Sequence, residues 1–327
     1  MKKILIIKLG AFGDVVHTTI IAEAIKLKHP DCKIDFLTLP ACVALLKDHP
    51  CIDETIIWEN SYKDSFKDFT NIALKLFKNR YDCIFSPSRV VWTTLLSIFA
   101  LPKKIVFNRK LGGLWVDDYF QMAQRVFKDL EKPEKLTLGL SKGAVEKIEA
   151  ELKNYAEPYF VIAPGRVMDN LRQGRLWNID KWKELSQMLT QKYGGTVFVI
   201  GNKREREKHI ILSADNVVIK SGEYSIEESN ALFSKATLMI SGDTGPVHMA
   251  SACGAKTLAL LGSTSPKQIK PYGKNGYYVS AEYDCLHCWR KKCKRLKEGE
   301  IYTPCMEALS ANAVMKKVEE ILTLDKE

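Results

Sequence analysis

No run of about eighteen or more apolar residues occurs in this 327-residue chain, so nothing in it reads as a transmembrane helix. The nearest candidate, Val90 to Leu101, is interrupted by Thr93, Thr94 and Ser97 and stopped by Pro102, which suits a buried helix. A dinucleotide fingerprint is missing as well: after Gly10 the next glycine is Gly13, leaving G-x-x-G-D where a NAD site needs G-x-G-x-x-G. There is no aromatic-basic platform and no reader motif for nucleic acid, so nucleic acid is not an expected partner. The Lys2-Lys3 start has the charge of a signal peptide, but Lys8 and Asp14 break the apolar segment and no small-residue cleavage site follows. A cytoplasmic protein is expected. Negative charge is in deficit, since 49 Lys and Arg against 39 Asp and Glu leave a formal charge of +10. That excess points to anionic partners such as nucleotides, phosphorylated sugars or an acidic membrane face.

What is present is an alternation. Short runs rich in Ile, Val and Phe recur between helical patterns: Ile4–Ile7, Ile34–Leu37, Glu54–Ile57, Cys83–Phe85 and Ile105–Phe107, then Tyr159–Ile162, Thr196–Ile200, Asn216–Ile219, Leu238–Ile240 and Thr257–Leu260. That beat predicts an α/β fold of βαβ units, parallel sheets with helices on both faces. It loosens between Asn108 and Glu157, a charged, helix-prone segment. The expected organisation is therefore two doubly wound Rossmann-like domains, residues 1–155 and 156–310, facing a central cleft. An amphipathic C-terminal helix, within 311–327 and capped by Ser310, is expected to pack back on the first domain.

Two strand-to-helix turns carry Gly and Asp. In the first, Ile4–Ile7 gives way to Gly10-Ala11-Phe12-Gly13-Asp14; in the second, Leu238–Ile240 runs into Ser241-Gly242-Asp243-Thr244-Gly245-Pro246-Val247-His248. Glycine lets backbone approach a ligand, and the unpaired amides of a first helical turn attract an anion, most simply a phosphate. Asp243 and Thr244 are equally what an ordinary helix cap needs. In open parallel sheets ligands bind beyond the carboxyl ends of the strands, where both turns sit. Past Tyr159–Ile162 come Gly165, Arg166, Arg172, Arg175 and Trp177, and a guanidinium can grip two oxygens of a diphosphate; a solvated loop anchored by Trp177 fits the same residues. Glu205, just past Thr196–Ile200, is placed to accept from ribose hydroxyls or to serve as a first-turn acid.

Together these motifs resemble the glycosyltransferase family of the bacterial lipopolysaccharide heptosyltransferases, over essentially the whole chain. The resemblance rests on Ile4–Lys8 with Gly13-Asp14-Val15-Val16-His17-Thr18, on Arg175-Leu176-Trp177, on Gly201 to Glu205, and on Asp243-Thr244-Gly245 with His248. It implies a GT-B fold and an inverting transfer of heptose from an ADP-heptose donor to an anionic glycolipid acceptor of the lipid A–Kdo type, at the cytoplasmic face of the inner membrane. It implies Asp14 as general base, and Gly165, Arg166, Arg175, Glu205, Asp243, Thr244, Gly245 and His248 around the donor. Gly13 and Arg89 are expected near the acceptor. No cofactor is required for the catalysis it implies. Where the family usually has lysine two residues before the Trp, this chain has Arg175, which keeps the charge but replaces a point ammonium with a planar fork. Rival readings are transfer of another nucleotide sugar, transfer to a protein, and nucleotide-sugar binding without turnover.

Cysteine is unevenly placed. Five of the nine stand singly and read as small buried hydrophobes. The others, Cys285, Cys288, Cys293 and Cys305, have a spacing that suits a structural zinc or iron site and equally suits reduced thiols or a disulfide.

Overall fold

The structure, a computed structural model, describes residues 2–59, 66–88, 90–109, 112–165, 173–290 and 292–324. The chain divides into two compact units, Met1–Gly139 and Leu140–Glu327.

The first unit is a five-stranded sheet of β1 (Lys3–Ile7), β2 (Lys33–Thr38), β3 (Glu54–Ile57), β4 (Cys83–Ser86) and β5 (Lys104–Phe107), in the order β3-β2-β1-β4-β5. Every pair is parallel, with Ile4 opposite Ile34 and Leu5 opposite Ile84. Strands covered on both faces cannot alternate polar and apolar residues, and Ile4 to Ile7 are accordingly all fully buried. Helices α1 (Phe12–Thr18), α2 (Ile20–Lys28), α3 (Phe66–Asn79), α4 (Val91–Phe99) and α5 (Trp115–Gln124) complete this layer structure. The segment Val90–Leu101 departs from the expected buried helix: α4 turns Thr93, Leu96 and Ser97 inward, while Val91, Ile98 and Phe99 are exposed.

The second unit repeats the plan with six parallel strands. These are β6 (Tyr159–Ala163), β7 (Thr196–Val199), β8 (Val217–Ile219), β9 (Leu238–Gly242), β10 (Thr257–Leu260) and β11 (Gly276–Val279), in the order β11-β10-β9-β6-β7-β8. The edge strand β11, with only half-buried and exposed residues, escapes the sequence reading because its Gly-Tyr-Tyr-Val has no apolar run. Among the helices of eight or more residues in this unit are α6 (Lys142–Leu152), α7 (Ile179–Tyr193), α8 (Ile226–Lys235), α9 (Gly245–Ala252) and α10 (Ala311–Thr323).

Two expectations about boundaries need correction. The division falls at Gly139/Leu140 and not at 155/156, because α6 buries Ile148 and Leu152 within the second unit. Its Glu151 meets Lys220 Nζ at 2.6 Å and accepts from the Tyr224 hydroxyl at 2.8 Å. The C-terminal helix, expected on the first domain, belongs to the second unit as well: Val314, Met315, Val318 and Ile321 share one core with Trp182, Leu185 and Leu189 of α7. Amphipathicity announces that a face will be buried, not against what. Ser310 does cap it, accepting from Ala313 N at 3.1 Å. Ile321→Ala is expected to destabilise the second unit by about 2–5 kcal/mol, the cost of a large-to-small change in a packed core, as read from the denaturant midpoint. A change confined to fraying of the last helix, with the midpoint unmoved, would show that α10 is an appendage.

Candidate functional site

In a doubly wound sheet the crevice opens where successive connections leave in opposite directions. In the first unit that point lies between β1 and β4, in the second between β6 and β9. Each of the two Gly-Asp turns follows one of these strands.

At the first switch point β1 is followed by Lys8, whose amide still donates to Leu37 O at 3.0 Å and so carries the strand pairing one residue further. The Lys8 side chain is nearly buried and places Nζ 2.9 Å from Asp14 Oδ2 on α1, with Ser88 Oγ at 3.4 Å. Ser88, beyond β4, is held in turn by its carbonyl, which accepts from Ser86 and Thr93 hydroxyls at 3.2 Å each. A cavity of about 610 Å³ opens here, lined by Lys8, Asp14, Ser88, Asn108, Trp115 and Tyr119 among others. The Asp14 carboxylate is partly exposed to it and fixed from below by its ammonium partner. Asn108 contributes a buried Oδ1 with no hydrogen-bond partner among the described residues. Burial, aided by the Asp14 charge, pushes the Tyr119 hydroxyl well above the usual phenol range, so it stays a neutral donor. Gly13, expected near an acceptor, is buried in α1. Arg89 lies outside the described residues. Sequence reasoning missed Lys8, Asn108, Trp115 and Tyr119; only Lys8, as a charge closing an apolar strand, carried a signal that could have been read.

At the second switch point Ser241 Oγ donates to Ala163 O at 2.8 Å, tying β9 to β6 just before both strands end. Its oxygen also lies 2.8 Å from Thr244 Oγ1. The Thr244 hydroxyl is thus engaged with Ser241, and the Thr244 side chain makes no capping hydrogen bond to the first amides of α9. Such amides carry the partial positive charge of the helix N-terminus. Asp243 is nearly buried, with Arg175 Nη2 2.8 Å from its Oδ2, Arg175 Nη1 donating to its carbonyl at 3.2 Å, and His248 Nε2 3.7 Å from Oδ1. Arg175 reaches it because Gly242 has no side chain: a Cβ there would stand 2.7 Å from the Arg175 carbonyl oxygen. Gly165, at φ +82°, makes the turn after β6 and packs beside Thr244. Gly165, Arg175, Asp243, Thr244, Gly245 and His248 are therefore gathered at one strand-end cluster. Arg166 and Arg172 lie outside the described residues.

Glu205 is engaged locally. Its Oε2 accepts from Asn202 N at 2.7 Å, closing the turn after β7. Next to it His209, 1% exposed, sets Nδ1 2.6 Å from Ser221 Oγ and also bonds the Gly165 backbone. Burial lowers its pKa from 6.5 to about 4, against the pull of that backbone bond, so it is neutral at pH 7 and braces the Gly165 turn from beneath.

The four clustered cysteines are near enough for the other three to raise the Cys305 thiol electrostatically, after burial, the larger cause. No three metal-ligating side chains converge among the described residues, so as they stand these thiols form no ligand set. Of the five single cysteines, Cys32, Cys42 and Cys83 are buried and Cys51 and Cys253 half-buried. A second hollow, about 750 Å³, opens among residues that include Glu149, Lys153, Tyr159, Lys235 and Thr237, at the amino ends of β6 and β9 and away from the Gly-Asp turn. Among the described residues no helix is long and apolar enough to cross a membrane.

The sequence signature described as glycosyltransferase family 9 (heptosyltransferase) matches residues 92–298. Lipopolysaccharide heptosyltransferase 3 of Escherichia coli K12 is 24% identical over 293 residues, 80% of this chain and 83% of that protein. Lipopolysaccharide heptosyltransferase 1 of Campylobacter coli is 23% identical and covers 98% of both chains. Among solved structures, the ADP-heptose LPS heptosyltransferase II of E. coli superposes with a TM-score of 0.79 at 18% identity, over 100% of each chain. The fold is of the GT-B type.

His209 gives the site a pH signature. Because its folded-state pKa is depressed from 6.5 to about 4, the unfolded chain takes up the proton first. Its contribution is complete above pH 6.5, decays as the pH falls and levels off near pH 4, where on the order of 3 kcal/mol has gone. Denaturant unfolding of His209→Asn across that interval is expected to show a shallower loss of stability with acid, by up to one proton. An identical slope in both proteins would remove His209 from the account.

Proposed function

The chain belongs to glycosyltransferase family 9, the heptosyltransferase family, and on that premise we propose that it transfers heptose from ADP-heptose to the inner core of lipopolysaccharide with inversion at the anomeric carbon. It is a glycosyltransferase; donor, acceptor, stereochemistry and residue roles are our reading. The observation that carries it is that both Gly-Asp turns stand at the switch points of their sheets with opposite chemistry. One offers a carboxylate on the wall of a cavity, the other uncapped amides beside an arginine.

In this reading the donor diphosphate lies against the first amides of α9, with Arg175 as the cation that meets charge building on departing ADP. Asp243 holds the guanidinium, and His248 supports Asp243 from one turn inside the helix. Glu205 and Gly165 lie on the nucleoside side of the donor. The Lys8–Asp14 pair serves the acceptor. Asp14 takes the proton of the attacking hydroxyl as the new C–O bond forms and the bond to the diphosphate oxygen breaks with its electron pair, giving ADP and an inverted linkage. Lys8 positions the carboxylate. The acceptor is an anionic glycolipid of the lipid A–Kdo type, met at the cytoplasmic face of the inner membrane, consistent with the excess of +10.

Asp14→Asn separates a catalyst from a mere binder. Turnover is expected to fall by about 10²–10⁴-fold, the range for loss of a general base, while ADP-heptose affinity measured by calorimetry stays as in the wild type. Retained turnover would remove Asp14 from the reaction, and loss of donor affinity in step with turnover would place it in binding.

A further inference from the structure

Among the described residues, six of the exposed large apolar side chains lie on two neighbouring helices of the first unit or just beyond them. Leu74 and Phe77 on α3, Val91, Ile98 and Phe99 on α4, and Leu101 just beyond are each at least 47% exposed. Single exposed leucines are ordinary, but a contiguous apolar surface on a water-facing helix pair is not. These residues form one surface because the two helices are stitched together underneath. The Phe69 ring of α3 packs on Trp92 at 5.5 Å and on Phe99 at 6.0 Å, both on α4. On α4 the pattern Val91, Leu95, Ile98 follows the i, i+4, i+7 spacing of a single helical stripe, opposite the buried Thr93, Leu96 and Ser97.

Two further observations say what covers this face. Its border is basic: Lys67, Lys78 and Arg80 on and after α3 are exposed, as are Lys103 and Lys104 after α4, against Glu54, Asp68 and Asp82. Lys75 pairs with Glu54 and Lys103 with Asp82, which leaves the rim with a cationic surplus. Its upper end is continuous with the candidate site, since Val90, the residue that opens α4, lines the same cavity as Asp14. A lipid-linked acceptor has its sugars at the bilayer surface and its acyl chains within it. A protein resting on this face would hold the Asp14 cavity at the level of those sugars.

We propose that the α3–α4 face, Leu74, Phe77, Val91, Ile98, Phe99 and Leu101 with its lysine rim, is a docking surface for an anionic lipid bilayer. Apolar side chains sink to the acyl boundary while the rim meets anionic headgroups, the two contributions with which interfacial binding scales. The proposal deepens the reading of a lipid-linked acceptor and rests on it for its purpose, but its test does not depend on transfer.

The experiment is co-sedimentation of the full chain with vesicles of phosphatidylcholine alone and of phosphatidylcholine mixed equally with phosphatidylglycerol. It compares the wild type, Leu74→Glu/Ile98→Glu, and the milder Leu74→Ser/Ile98→Ser. The wild type is expected to partition onto the anionic vesicles, and the Glu pair to lose about tenfold or more of that partitioning, with the Ser pair between them and melting temperatures unchanged. Variants that sediment like the wild type, or a wild type that binds neither vesicle, would overturn the proposal. So would a wild type that ignores vesicles but dimerises through this face, seen as self-association abolished by the Glu pair. Transfer to an acyl-free core saccharide, run on the same proteins, keeps the two readings apart. Vesicle binding without any transfer sinks the proposed function and leaves docking standing, and transfer without vesicle binding does the reverse.

Discussion

A parallel strand buried on both faces constrains everything around it. It has no polar side to turn to solvent, its neighbour must be reached by a helix, and right-handed crossovers leave only the strand ends free for polar chemistry. Both sheets of this chain obey that constraint through their central strands, where Ile4 to Ile7 and Phe160 to Ile162 are fully buried. In these two central strands charge appears only at the strand ends. Lys8 and Asp14 beyond β1, and Asp243 beyond β9 with Arg175 brought against it, occupy those places.

Each end solves the same electrostatic problem differently. A nearly buried charge is costly without a partner, and breaking such a pair leaves the other charge stranded. At the first turn an ammonium sits beneath a carboxylate that still faces a cavity. At the second the carboxylate is the buried member and the arginine the half-exposed one. The sign of the group offered outward is therefore reversed, negative in the first unit and positive in the second. That reversal fits the proposed transfer, in which a hydroxyl gives up its proton as it bonds to the sugar and an anionic diphosphate departs; the chain itself belongs to the heptosyltransferase family.

Much of this was legible in the sequence, because apolar runs and Gly-Asp turns are local signals. Ten strands follow from them to within a residue or two, as do the two turns, whereas the grouping of Arg175 with Asp243, Thr244 and His248 came only from the family resemblance. What was not legible depends on long-range packing. Nothing local says that the apolar stripe of α10 meets α7, that α6 belongs to the second unit, or that Val91 and Ile98 face outward where an apolar segment suggested burial. Tyr119 and Asn108 are ordinary in sequence and join the Asp14 cavity only through the fold. Glu205 illustrates the opposite limit: its position was legible, and its observed bond to Asn202 is the local one any turn would make.

The central claim is that the second Gly-Asp turn holds the ADP of a heptose donor. Calorimetric titration of the purified protein with ADP-heptose, ADP-glucose, UDP-N-acetylglucosamine and GDP-mannose, with no acceptor present, tests it most directly. Selective binding of ADP-heptose is the predicted result. Preference for a different nucleotide sugar, or no binding of any, would contradict it.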